Sequence, residues 1–168
     1  KDWQFSDNGD GTWTATNYIG SDAVVSVPYI HDNKPVTRLE NNVSTPLRSV
    51  FYSNTTLTTV YIPNSIETIG QYAFSNCTQL TTINIPDSVT TMKDHAFYKC
   101  SSLPAINIPD SVTSMDSNIF RDCTSLSIVT LSQNITVIPE SAFNGCTSLT
   151  TIAIPNKVTT IDYAFVSS

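Results

Sequence analysis

One feature constrains this chain more than any other: a repeat of 23 residues. At that spacing Phe51, Phe74, Phe97, Phe120 and Phe143 fall into one column. Cys77, Cys100, Cys123 and Cys146 form a second, with Asn54 in the first unit's place. Leu57, Leu80, Leu103, Leu126 and Leu149 follow, then Val60, Ile83, Ile106, Val129 and Ile152, then Ile62, Ile85, Ile108, Leu131 and Ile154. Pro63, Pro86, Pro109 and Pro155 punctuate the units, with Ser132 substituting once. A second apolar pair closes each unit, as in Val89 and Met92 or Val112 and Met115. A regular repeat of this length is the signature of a stacked array, in which no unit buries its apolar face without its neighbours.

Each unit reads physically. In Leu80-Thr-Thr-Ile-Asn-Ile85, Ile83 and Ile85 point inward and Asn84 outward, the alternation of a strand. Pro86 ends it, because proline has no N–H for a ladder. Five such strands, stacked about 4.8 Å apart, predict one parallel sheet along one side of a coil. The return path carries Val89 and Met92 inward and then the Ala96-Phe97 segment, too short for a standard helix, so a helical or 3₁₀ turn is expected there.

The units resemble the BspA-like leucine-rich repeat family, whose pattern is AFxxCxxLxxIxIPxxVxxI. The matching stretches are AFSNCTQLTTINIPDSVTTM (73–92), AFYKCSSLPAINIPDSVTSM (96–115) and AFNGCTSLTTIAIPNKVTTI (142–161). The resemblance spans residues 51 to 165. It implies a leucine-rich repeat solenoid, a right-handed β/α superhelix, and a secreted or surface-attached protein used in adhesion to host molecules or other cells. The expected organisation is a single domain over 1–168: an N-terminal β cap over 1–38 and the solenoid over 39–168, its last repeat incomplete.

The cap is not part of the repeat. Trp3, Phe5, Trp13, Ala15 and Tyr18 flank Asn8-Gly9 and Asp10-Gly11, which predicts a β-hairpin whose aromatics cover the first coil's open end. Trp3 and Trp13 as a sugar platform is the alternative. The run DNGDG lacks the spacing of a calcium loop, since Gly9 stands at the third position, and is read as a turn. An insertion, NNVSTPLRSV, lies between Leu39 and Phe51, and its Pro46 favours a loop. At the other end the chain stops before the next strand, and continuation past Ser168 is expected, because terminal units of such arrays need a polar cap.

Catalytic and metal chemistry find little support. Zinc needs its ligands within about 2.3 Å of one point, whereas the repeat strings the four sulfurs along the stack, so buried structural thiols are expected. His31 and His95 are the only imidazoles, and neither falls within reach of a thiol by this reading. Asp87 and Asp110 share a column as turn residues. Four Asn-x-Ser/Thr sequons, at Asn42, Asn54, Asn76 and Asn134, are read as coincidental. No enzyme activity, cofactor or metal is therefore expected.

What remains is a surface, and here composition matters. Charged residues are only 13% of the chain, the net charge is −6, and 24 Thr and 21 Ser take the place of charge. Nucleic-acid binding would demand a basic patch, and no apolar run approaches the roughly 18 residues that span a bilayer. The residues predicted to point outward from the strands are uncharged, and the partner-binding set among them is Thr58, Thr59, Tyr61, Thr81, Thr82, Asn84, Asn107, Thr130, Thr150 and Thr151. Tyr61 is the aromatic anchor expected of such a face. Pro104 is anomalous, since it removes a ladder donor near a strand start. The reading is an extracellular or cell-surface binding module for a protein or cell-surface ligand, a host extracellular protein included. A passive spacer and a glycan-binding module are the alternatives.

Overall fold

The computed structural model describes residues 2–40 and 49–165. The predicted insertion loop around Pro46 lies outside the described residues. Strands β1 (Trp3–Asp7) and β2 (Trp13–Tyr18) pair antiparallel as a hairpin. Its turn is closed by Asn8 N–H to Thr12 O (3.1 Å) and by Asp7 and Asp10 carboxylates that accept the N–H groups of Gly9 and Thr12.

From there the chain coils, and its strands stack in two lines. Along one side run β3 (Val24–Ser26), β6 (Thr59–Tyr61) and β8 (Thr82–Ile83), and further up β10 (Ala105–Asn107) and β12 (Ile128–Thr130). Along the other run β5 (Lys34–Leu39), β7 (Thr68–Ile69), β9 (Thr91–Met92) and β11 (Ser114–Met115), then β13 (Val137–Ile138) and β14 (Thr160–Ile161). The short β4 (Ile30–His31) folds back on β5 antiparallel. Pairing within both lines is parallel, and Val60 faces Ile83, Ile69 faces Met92, Met92 faces Met115 and Ile106 faces Val129. Each partner is one repeat away.

The single sheet expected from sequence is thus corrected to two lines of strands, each interrupted along the stack. The second line consists of strands of two residues in every repeat, too few for an alternating pattern to show. Strand pairing also begins upstream of the repeat columns: β3 pairs with β6 and β5 with β7 in parallel register, while β2 lies parallel to β5 and carries the hairpin onto the second line.

The expected helical turns are also corrected, since no helix occurs among the described residues. The segment around each phenylalanine does make N–H to O bonds three residues back, such as Ala96 to Lys93, Tyr98 to His95 and Cys100 to Phe97. Two residues per unit, however, take positive φ. Two positions before the phenylalanine stand Tyr72, His95, Asn118 and Ser141 (φ 54 to 58°). Two positions after it stand Ser53, Asn76, Lys99 and Asp122 (φ 56 to 61°) and Gly145 (φ 75°). A left-handed residue at every fourth position breaks any helix. It also turns alternate N–H groups toward the next coil, where His95, Phe97 and Lys99 donate to Ser117, Ile119 and Arg121 carbonyls at 3.3, 2.9 and 2.9 Å. These bonds form a third ladder and offset the roughly 1–3 kcal/mol that a strained non-glycine residue costs.

The core is a column of rings and a column of thiols. Phe51, Phe74, Phe97, Phe120 and Phe143 are fully buried and stack on one another with centroids 5.0, 5.1, 5.3 and 5.6 Å apart. Phe165 extends the stack at 5.5 Å. At the other end Trp3 meets Phe51 edge-on at 5.5 Å and Tyr18 packs beside it. Tyr18 N–H donates to Val50 O, as each phenylalanine N–H does to the coil above, so the hairpin occupies the place of a preceding coil. Its phenol donates to Asp22 at 2.7 Å, and burial pushes its pKa up to about 12. Gly70 is required by close approach: a Cβ there would stand 2.6 Å from Glu40 Cβ and 2.7 Å from Leu39 O.

Candidate functional site: the first strand line and its seam

The structure distributes the predicted partner-binding residues unevenly. Thr58, Thr59, Tyr61, Thr81, Thr82 and Asn84 lie together along the β3–β6–β8 sheet. Asn107 and Thr130 stand opposite each other on β10 and β12. Thr150 and Thr151 are exposed but belong to no strand. Tyr61 is 56% exposed, Ile128 63% and Val24 56%, large apolar groups on a face otherwise rich in hydroxyl and amide side chains.

Hydrogen bonding then divides the set by role. Thr58 Oγ1 donates to Ala23 O at 2.9 Å, Thr81 Oγ1 to Thr58 O at 3.1 Å and Ser127 Oγ to Pro104 O at 3.2 Å. Those hydroxyls bind their own coil to the one below. Asn84 is likewise committed: its Nδ2 donates to Ile62 O and its Oδ1 accepts Ile62 N–H, both at 3.0 Å. Its side chain thereby takes the place of strand backbone, a substitution that residue type did not reveal. Among the described residues, Thr59, Tyr61, Thr82, Asn107, Thr130, Thr150 and Thr151 keep side chains with no intramolecular hydrogen bond.

The face is divided by a seam. β8 and β10 do not pair, although one repeat separates them as it separates β6 from β8. Pro104 stands at this break. In the coils below, Ala23 O accepts the N–H groups of Thr58 and Thr59, and Thr58 O those of Thr81 and Thr82. Pro104 has no N–H to offer Thr81 O, and the ladder resumes only where Pro104 O accepts from Ser127 and Ile128. Beside the seam opens a polar cleft lined by Asp87, Asn107, Asp110, Ser111, Thr130 and Gln133, most of which the strand pattern did not mark.

Elsewhere the candidate chemistry is absorbed by structure. The four thiols are free and fully buried. Cys77, Cys100, Cys123 and Cys146 Sγ contact Phe51, Phe74, Phe97 and Phe120 carbonyls at 3.0 to 3.1 Å, so each thiol donates to the coil below it. Burial pushes Cys77 and Cys146 up to about 12 and raises Cys100 well above its ordinary value, far from the thiolate a nucleophile needs. Asn54, in the first unit, uses Oδ1 to accept the N–H groups of Thr56 and Leu57.

His95 is half-buried: its ring stacks on Tyr72 at 4.9 Å, contacts Tyr98 at 5.2 Å and holds Nδ1 2.7 Å from Asp94. His31 stacks on Phe5 at 4.0 Å and meets Trp13 edge-on at 4.7 Å. Trp3 and Trp13 are half-buried within this packing. Among the described residues, no group of three His, Cys, Asp or Glu side chains is placed to hold a metal ion, and no helix is long and apolar enough to cross a membrane.

A parallel stack of short strands with a repeating Phe–Cys core defines a leucine-rich repeat solenoid. The family model for the BspA type leucine rich repeat region matches residues 46–168 in six copies, and the chain belongs to that family. Among solved structures it is similar to the leucine-rich repeat protein of T. pallidum, with 28% identity and a TM-score of 0.83 over 96% of this chain and 79% of that one. A leucine-rich repeat protein of Bacteroides capillosus shares 28% identity at a TM-score of 0.65, covering 77% of this chain and 93% of that one. The pneumococcal vaccine antigen PcpA shares the fold at 20% identity and a TM-score of 0.70, over 98% of this chain and 45% of that one. No curated protein matches the chain.

Proposed function

We propose that this chain is a non-catalytic binding module of an extracellular or cell-surface protein, and that it meets a protein or cell-surface partner through the strand face of β6, β8, β10 and β12. The observation that carries this reading is the face itself: Thr59, Tyr61, Thr82, Asn107, Ile128 and Thr130 are solvent-facing and uncharged on a chain of net charge −6. Uncharged faces that carry an exposed aromatic group desolvate at low cost, as interface cores do. Membership of the family and the likeness to a vaccine antigen support a surface setting.

A passive spacer is the second reading, favoured by the Thr58, Thr81 and Ser127 hydroxyls, which serve the stack and no partner. The triple variant Tyr61→Glu, Thr82→Glu, Asn107→Glu separates the two. Binding of the labelled protein to cultured animal cells, read by flow cytometry, is expected to fall while the thermal midpoint holds. Binding that persists undiminished on a folded variant refutes the strand-face reading.

A further inference from the structure

We infer that the cleft beside the Pro104 seam is a binding site for a neutral saccharide. This rests on the strand-face reading and names the ligand class at one place on it. The cleft spans three coils: Asp87 comes from the lower, Asn107, Asp110 and Ser111 from the middle, Thr130 and Gln133 from the upper. Two features of the sequence bear on its place in the stack. Pro104 leaves β8 and β10 unpaired, and Asn84, which has the position that Asn107 has one repeat later, turns its amide down onto Ile62.

Its chemistry selects the ligand. The lining holds two carboxylates and no Lys or Arg, so it repels anions. The side chains of Asp87, Asn107 and Thr130 are exposed and make no hydrogen bond among the described residues. Gln133 donates Nε2 to Leu131 O, which leaves its amide oxygen available as an acceptor. Ser111 donates to Val89 O and keeps its lone pairs. The set therefore offers many acceptors and a few donors at fixed positions, the complement of a ligand whose every hydroxyl both donates and accepts. A bare cation is matched less well, because Asp110 Oδ1 already accepts Gln133 N–H at 2.7 Å and, apart from Asp87, the remaining groups are neutral.

The test is titration of the ¹⁵N-labelled chain with methyl α-glucopyranoside, methyl β-galactopyranoside, N-acetylglucosamine and, separately, calcium chloride, read by amide chemical shifts. At least one sugar is expected to move the Asn107, Asp110 and Gln133 signals. Asp87→Asn and Asp110→Asn are each expected to weaken it about tenfold, equivalent to about 1.4 kcal/mol, without altering the thermal midpoint. Asparagine keeps the oxygen that Gln133 N–H needs, so Asp110→Asn spares the local turn, and exposed Asp87 supplies a second, independent variant. The inference fails if no sugar moves those signals at concentrations on the order of 10 mM, if both variants bind as the parent does, or if calcium alone shifts them. Failure of the cleft leaves the cell-binding loss of the Tyr61, Thr82, Asn107 variant in place. Failure of the strand-face reading instead shows as cell binding that survives that variant.

Discussion

Raising the pH should dismantle this fold through its thiol column. Burial pushes the Cys77 and Cys146 thiols up to about 12 from an ordinary 9.0, and Cys100 moves the same way. A thiol whose folded pKa is raised contributes its full stability below the unfolded value and loses it as pH climbs from there toward the folded value. Above about pH 9 the unfolded chain releases protons that the folded chain retains, so unfolding gains free energy. At pH 10 the loss is about 1.4 kcal/mol per thiol, hence about 2.8 kcal/mol for Cys77 and Cys146 together, with Cys100 adding in the same sense. Tyr18, also pushed up to about 12, enters only above pH 10, which sets the upper limit of the window. Guanidinium unfolding at pH 7.5, 9 and 10 should show the midpoint falling at constant m-value, and Cys146→Ala should fall less steeply than the parent. A stability that stays flat between pH 8 and pH 10 refutes the buried thiol ladder.

Three substitutions probe other parts of the stack. Phe97→Ala opens a hole between rings 5.1 and 5.3 Å away and should cost about 3–5 kcal/mol, measured by denaturant unfolding. Asn84→Ala removes both bonds to the Ile62 backbone and should cost about 1–2 kcal/mol, with faster hydrogen exchange of the Ile62 amide; unchanged exchange would refute the assignment. Gly70→Ala drives a methyl group into Glu40 and the Leu39 carbonyl and should destabilise by about 1–3 kcal/mol, seen as a lower thermal midpoint.

Much of this was legible in the chain because a repeat multiplies weak signals. The inward Phe, Cys, Leu and Ile columns recur in every coil, and one burial rule explains each column. Pro104 announced the break in its strand, since a missing N–H is a property of the residue itself. The second strand line was not legible: Thr68–Ile69 and its equivalents are too short for alternation, and pairing with neighbours alone makes them strands. Nor were the left-handed positions, where Tyr72, His95, Asn118 and Ser141 share no common chemistry and the ladder imposes the conformation. Within the candidate site, Asn84 and Asn107 are the same residue at the same position in successive repeats. Only the folded structure shows that one is spent on Ile62 and the other faces solvent.

The direction of the three ladders has a mechanical consequence. Their bonds join coil to coil and so run along the axis of the stack. Tension applied along that axis opens one rung after another, instead of shearing a whole row at once. The solenoid should therefore yield gradually, one coil at a time, and each 23-residue step should release about 75 Å of chain. Pulled between its two ends, the molecule would act as an extensible tether that gives way coil by coil.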